Sequence, residues 1–510
     1  MVEIMVLVCA IAVLSPLGWL DCRAYKGLPQ AIFLCIFPLG AFRRFGCRYN
    51  QGIRVRWTES VEPLLPAMEG NLRRGDTAGD AKAHVNGALL VYALLVVLVT
   101  SASWYIYWLS NVFMTRPLFA KIYQFRDLTD YAGKMAHLHG GAAALGNGFP
   151  IFNYPASAAY VFAFFLSFGS HAIQAYLAFV LLCVIGFAVI AWRASGAGAP
   201  GRLGAAAAIA TTALLGYPLW FVADRGNTEV VVWALAGAGL CFLLRGKTLA
   251  AAVLIGLSAS IKPFSILFLL LLLRRRKYKE AALGLVTAGL VAIAALTAIG
   301  PTPWKAYQDL KPDMSLYVSD YVFNLKPVGE MRFNHSLLDG MKSAAVTVEM
   351  GGIHPVKALV EVTELRLEPG GWHGARPLVR IYPYVAIAGF GLLLAVFYRM
   401  PILNQLTALA VAITIFPPVA GEYTLLALYL PFGALVVFLT REVAPGKVAF
   451  SYASMLAFAV IYALLFSPLT FLMLYEGDAK LMLLLALLFV AARSPMLSEY
   501  FDQVPLGVIQ

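Results

Sequence analysis

At 510 residues the chain is long enough for several soluble domains, yet 61% of it is hydrophobic, only 13% is charged, and its mean hydropathy is +0.77. That composition excludes a soluble multidomain protein and describes an all-α, polytopic membrane protein. The net charge of +12 does not mark a nucleic-acid binder, because Lys and Arg fall in short clusters between apolar runs (RRFGCRYNQGIRVRW, RRRKYK, REVAPGK), as cytoplasmic loops do. The six cysteines, at 9, 22, 35, 47, 183 and 241, avoid the two long segments expected outside, so no disulfide framework is expected.

In chain order, VEIMVLVCAIAVLSPLGWL carries an acidic residue where a signal peptide has basic ones, and shows no obvious small-residue cleavage site; it reads as a retained span. Residues 1–42 fit a hairpin of two spans, and a basic cytoplasmic loop completes an N-terminal region over 1–85. A span takes about 20 apolar residues. Seven arginines from Arg43 to Arg74 precede NGALLVYALLVVLVTSASWYIYWLS (86–110), so this helix runs outward and FRDLTDYAGKMAHLHGG (125–141) follows outside. PASAAYVFAFFLSFG is too short to cross, and counting it as a span would put Arg193, Arg202 and RRRKYK outside; it is expected to be interfacial. Residues 171–192 then run inward, 204–222 outward, DRGN (224–227) forms an outer turn, and 228–244 returns.

The run TLAAAVLIGLSASIKPFSILFLLLLL joins two basic inner loops, so it must leave and come back. Pro263 breaks the helix, and Lys262 beside it is costly in a membrane unless it meets a cavity or an anion. Short, proline-interrupted pairs of this kind point to binding sites. Residues 280–300 go out, 301–378 form a large outer loop, and spans near 379–398, 401–420, 423–440, 449–474 and 480–493 follow. Residues 86–440 are expected to be the catalytic transmembrane module and 441–510 the C-terminal helices.

This topology gathers Asp127, Asp130, Tyr131, His137, His139, Asn153, Tyr154, Asp224, Arg225, Asn227, Glu229, Lys262, Asn334, His335, Ser336 and Glu422 at or just beneath the outer face. Each also has a plainer reading. Asp127 and Asp130 suit a helix start, Lys262 could snorkel, Asn334 and Ser336 suit a turn, and Glu422 resembles a helix cap. HLHGG lacks companion ligands, and no metal is expected there.

The order of these segments resembles glycosyltransferase family 87 of the GT-C superfamily. The residues that carry the resemblance are DLTDYAGKMAHLHGG, FNYPASAAYVF, DRGNTEVVVWAL with Asn227 where the family commonly has Gln, IKPFSILFLLLLLRRRK, and NHSLLDG with His335 in place of Gln. GEYTLLALYLP departs from the family in lacking a His. The resemblance covers roughly residues 86–440. It implies a bundle of about 11 to 13 transmembrane helices with short interfacial helices and a large extracytoplasmic loop, and transfer of mannose or a related sugar from a polyprenyl phosphate to a glycolipid or glycan acceptor.

The residues offer what such chemistry needs. Asp127, partly desolvated, suits a general base; Lys262 and Arg225 suit the donor phosphate. Asp130, Tyr131, Asn153, Tyr154, Asn227, Asn334, His335, Ser336 and Glu422 are candidate substrate contacts, and no metal or other cofactor is expected. The richness in Ala and Arg suggests a bacterial origin, and the distribution of Lys and Arg places the site on the outer face of the cytoplasmic membrane. The alternative is a lipid or polyprenyl-sugar flippase, since carriers also show broken helices with a buried charge, but the repeat halves usual in carriers are not evident.

Overall fold

The computed structural model describes residues 100–102, 104, 124–136, 152–195, 199–318, 322, 334–349, 375–440, 452–469 and 476–493. All lie in the second of two compact units, Lys82–Gln510. The expected hairpin over 1–42, nearly all of the helix at 86–110, His137, His139 and most of the outer loop fall outside the described residues. The described residues form helices and turns with no strand.

Two short helices, α1 (Arg126–Thr129) and α2 (Ala132–Ala136), are followed by α3 (Ala156–Leu166), whose 11 residues fall short of the about 20 that a membrane span takes. Next come α4 (Ala172–Ala194), α5 (Ala199–Leu215), α6 (Tyr217–Arg225) and α7 (Glu229–Leu244). The segment expected as one span at 204–222 is two helices bent by 56° at Gly216. The bend has a local cause: Pro218 opens α6, and a Cβ on Gly216 would sit 1.7 Å from the Tyr429 hydroxyl.

Helix α8 (Thr248–Ile261) stops at Lys262, and the chain resumes as a 3₁₀ turn over Pro263–Leu269 and α9 (Leu270–Arg274). Proline disfavours the helical region for the residue before it. Lys262 accordingly sits extended at φ −136°, ψ 111°. There follow α10 (Tyr278–Ile299), α11 (Pro303–Tyr317), α12 (Leu337–Glu349), α13 (Ala375–Phe397), α14 (Ile402–Ile415), a 3₁₀ turn over Glu422–Leu428, α15 (Tyr429–Thr440), α16 (Tyr452–Leu465) and α17 (Glu476–Arg493). The segment expected as a span at 449–474 is helical only over Tyr452–Leu465 among its described residues.

Every residue of α14 is buried, which makes it the axis of the late half. Its polar side chains find internal partners, Asn404 donating to the Ala491 carbonyl at 2.5 Å and Gln405 to the Phe397 carbonyl at 3.0 Å, as a low-dielectric interior requires. The outward faces are the reverse: Leu182, Leu290 and Leu392 are 65%, 62% and 71% exposed. Bare apolar side chains of this kind along α4, α10 and α13 suit lipid and not water. By length and apolarity three helices can cross a membrane (Gly169–Ala194, Tyr278–Ile299, Pro377–Phe397), or four if the bent pair α5–α6 is one span. The described residues thus supply three or four of the 11 to 13 expected spans by this measure, and six apolar helices of 10–17 residues accompany them.

Candidate active site

The site begins where α1 meets the α6–α7 turn. Phe125 takes a left-handed conformation, φ 54°, and its N–H donates to the Asp224 carbonyl at 2.5 Å. Such a conformation in an aromatic residue costs energy and persists only where its surroundings enforce it. Gly226, φ 68°, caps α6 from the other side, and a Cβ there would approach the Leu128 Cβ to 2.7 Å. Gly226→Ala is therefore expected to cost about 2 kcal/mol or more from the left-handed backbone and the clash together. A lowered melting midpoint checks it.

The turn presents Asn227, which is 1% exposed. Its Oδ1 accepts from the Glu229 N–H at 2.9 Å, and its Nδ2 donates to Asp127 Oδ2 at 2.6 Å and to the Tyr154 hydroxyl at 3.1 Å. The Tyr176 hydroxyl fixes the same turn by donating to the carbonyls of Val222 (3.0 Å) and Asn227 (2.9 Å). Asp127 is half-buried, and desolvation raises its pKa above the ordinary 3.8, against the Asn227 hydrogen bond and the charges of Arg225 and Lys262, which lower it. The side chain so placed is a carboxylate of increased basicity with one oxygen held by Asn227.

Lys262 reaches the same place from the α8 break. Its ammonium pairs with Glu229 Oε2 and lies 4.3 Å from the centre of the Tyr423 ring and 5.7 Å from that of Tyr154. The lysine is thus caged by a carboxylate and two aromatic faces, and only a fifth of its side chain is exposed. Arg225, at the end of α6, stacks on Phe221 at 5.2 Å. Asn153 Oδ1 accepts from the Tyr131 hydroxyl at 3.4 Å, and Tyr131, Phe152, Tyr154 and Phe162 form one aromatic cluster. Asp130 is turned elsewhere, paired with Arg126 at 2.6 Å. Asp313 of α11 anchors the cluster from outside by accepting from Lys134 Nζ at 2.9 Å and the Phe152 N–H at 2.8 Å.

Residues 334–336 serve the neighbouring loop. Asn334 Oδ1 accepts from the N–H groups of Ser336 (3.1 Å) and Ala420 (2.9 Å), and Ser336 Oγ donates to the Pro418 carbonyl at 3.0 Å and caps Asp339. His335 is fully buried, its N–H donates to the Ala420 carbonyl at 3.0 Å, and its Nε2 meets Thr424 Oγ1 at 3.0 Å. Glu422 is not on the open face: it pairs with Lys480, which also lies 3.6 Å from Glu476 Oε1, and all three side chains are fully buried. These contacts pin both ends of the loop that carries Tyr423 onto Lys262.

Burial and the charge of Lys480 hold the His335 pKa down, to about 3. The unfolded chain takes up a proton below about 6.5 while the folded ring stays neutral, so the folded state loses stability as pH falls, by at most about 1.4 kcal/mol per unit. His335→Gln, which keeps a polar group opposite Thr424, is expected to flatten the decline in melting midpoint between about pH 6.5 and 5. An unchanged slope counts against this assignment.

The structure therefore brings Asp127, Asn227, Tyr154, Lys262 and Arg225 together with Tyr131 and Asn153, and directs Asp130, Asn334, His335, Ser336 and Glu422 to supporting contacts. Sequence reasoning gave no special role to Glu229 and missed Tyr176, Tyr423 and Asp313. The spacing Asn227-x-Glu229 at a helix start was the available signal for the first. Among the described residues no group of three His, Cys, Asp or Glu side chains is placed to hold a metal ion.

Residues 152–360 match glycosyltransferase family 87. No curated protein and no solved structure matches the chain. The family 87 segment contains FNYP, DRGNTE, IKPF and NHS, and is shorter than the 86–440 expected from the motifs; Asp127 and Glu422 lie outside it. The match, with the lipid-suited outer faces, supports a membrane glycosyltransferase, consistent with the GT-C superfamily.

Proposed function

We propose that this protein transfers a sugar, most readily mannose, from a polyprenyl phosphate to a glycolipid or glycan acceptor outside the cytoplasmic membrane of a bacterium. The observation that carries the reading is the convergence on one turn, 225–229, of a basic carboxylate (Asp127 on Asn227, 2.6 Å) and a caged ammonium (Lys262 on Glu229). Asp127 takes the proton of the acceptor hydroxyl as its oxygen bonds to the anomeric carbon. The bond from that carbon to the phosphate oxygen breaks, and polyprenyl phosphate leaves with the electron pair. Direct displacement inverts the anomeric centre.

Lys262 neutralises the charge that develops on the leaving phosphate. Glu229 and the two aromatic rings keep the ammonium in place, and its remaining protons are the donors available to phosphate. Arg225 adds a second cation near the same turn. The test is turnover of a labelled prenyl-phosphate sugar in membranes. Lys262→Met is expected to lose about 2 to 4 kcal/mol of transition-state stabilisation, and Lys262→Arg to keep part of it because the charge survives in a different shape. A folded Lys262→Met with parental turnover would remove the phosphate role and leave Lys262 an interfacial anchor.

A further inference from the structure

Away from this site, toward the basic end of the bundle, the helices leave a cavity of about 110 Å³. Its wall runs down α7 from Trp233 to Arg245 and is completed by α4, α5, α14 and α15, with Phe187, Leu240, Tyr429 and Val437 among the lining side chains. At 1.5 Å per residue, Arg245 stands roughly 24 Å along the helix from Glu229, so the cavity's charged end is remote from the Asp127 turn.

Arg245 is the charged residue in that wall, and its guanidinium has no carboxylate partner among the described residues. Two more cations flank it in the structure: Arg275 Nη1 donates to the Leu243 carbonyl at 3.3 Å, and Lys247 Nζ lies 5.9 Å from the Phe242 ring. A nearly all-hydrocarbon chamber offers water too few partners to hold it. An alkyl segment gains about 0.8 kcal/mol for each methylene it buries. The pattern is therefore a hydrocarbon slot with an anion receptor at its mouth.

We propose that the cavity takes part of one acyl chain of an anionic phospholipid, whose phosphate rests on Arg245 with Lys247 and Arg275 beside it. The lipid belongs to the leaflet opposite the Asp127 site, and its binding is independent of the sugar-transfer reading. It ties α4, α7 and α15 together where their side chains leave space.

The full chain purified in mild detergent and sprayed under native conditions is expected to carry an adduct of phosphatidylglycerol mass after exposure to that lipid, and none after exposure to phosphatidylcholine. In nanodiscs its melting midpoint should be higher with phosphatidylglycerol than with phosphatidylcholine. Arg245→Gln should abolish both effects, and Ala434→Phe, which fills the cavity, should remove the adduct. If Ala434→Phe fails to fold, Arg245→Gln decides alone. Three results overturn the proposal: no adduct on the parent, an adduct that survives Arg245→Gln, or an adduct that proves to be a prenyl phosphate, which would give the cavity to the donor's tail.

Discussion

Asp127→Asn is expected to lower turnover by about 10²-fold or more while the protein folds and inserts as before. The substitution is close to isosteric, and the new side-chain carbonyl still accepts from Asn227, so the turn stays closed. What is lost is the ability to take a proton. The pH profile should report the same group: burial raises the Asp127 pKa above 3.8, so the acid limb of kcat/KM should lie above that value. Asn227→Asp, which replaces an amide donor with a like charge, should move the limb higher still. Asp130→Asn should be mild, since Asp130 pairs with Arg126 and not with the Asn227 turn. Near-parental turnover by Asp127→Asn, or a larger loss at Asp130, sinks the assignment of the base.

The second large effect concerns Lys480, whose side chain is fully buried between Glu422 and Glu476. Lys480→Met leaves two carboxylates in an apolar interior without their cation, and breaking a buried pair from one side costs about 3 to 5 kcal/mol. A steep fall in melting midpoint is expected, with loss of the Tyr423 contact to Lys262 following from the freed loop. The discriminating control is Glu422→Gln and Glu476→Gln placed together in the Lys480→Met background, which removes the uncompensated charge. That triple variant should recover much of the stability, since a neutral replacement of a buried ion cluster is often tolerated. If it melts as low as Lys480→Met, packing and not charge is what Lys480 supplies.

The sequence announced the parts of this fold that depend on neighbours along the chain. The helix at 172–194, the short apolar helix at 156–166 and the break at Lys262-Pro263 follow from apolar run length and from proline's effect on the residue before it. At Gly216 the apolar run continues through the bend, so run length hides it; Pro218 is the local signal, while the approach of Tyr429 from a distant helix, which demands a glycine there, has no local pattern. The site divided along the same line. Lys262 stood out because a charge between short apolar limbs is anomalous wherever it goes. Which carboxylate would meet it, Glu229 or another, depends on tertiary packing that no local pattern encodes. Glu422, expected as a cap-like residue and substrate contact near the outer face, is instead buried for the same reason, its partner lying 58 residues further on.

That separation also sets an order of assembly. A ribosome adding about 5 to 20 residues per second delivers Lys480 roughly 3 to 12 s after Glu422. During that interval the carboxylate has no cation, and the 417–424 loop cannot settle against Asn334 and His335 for good. The region that carries Tyr423 to Lys262 is therefore completed late, when α17 docks beside α14.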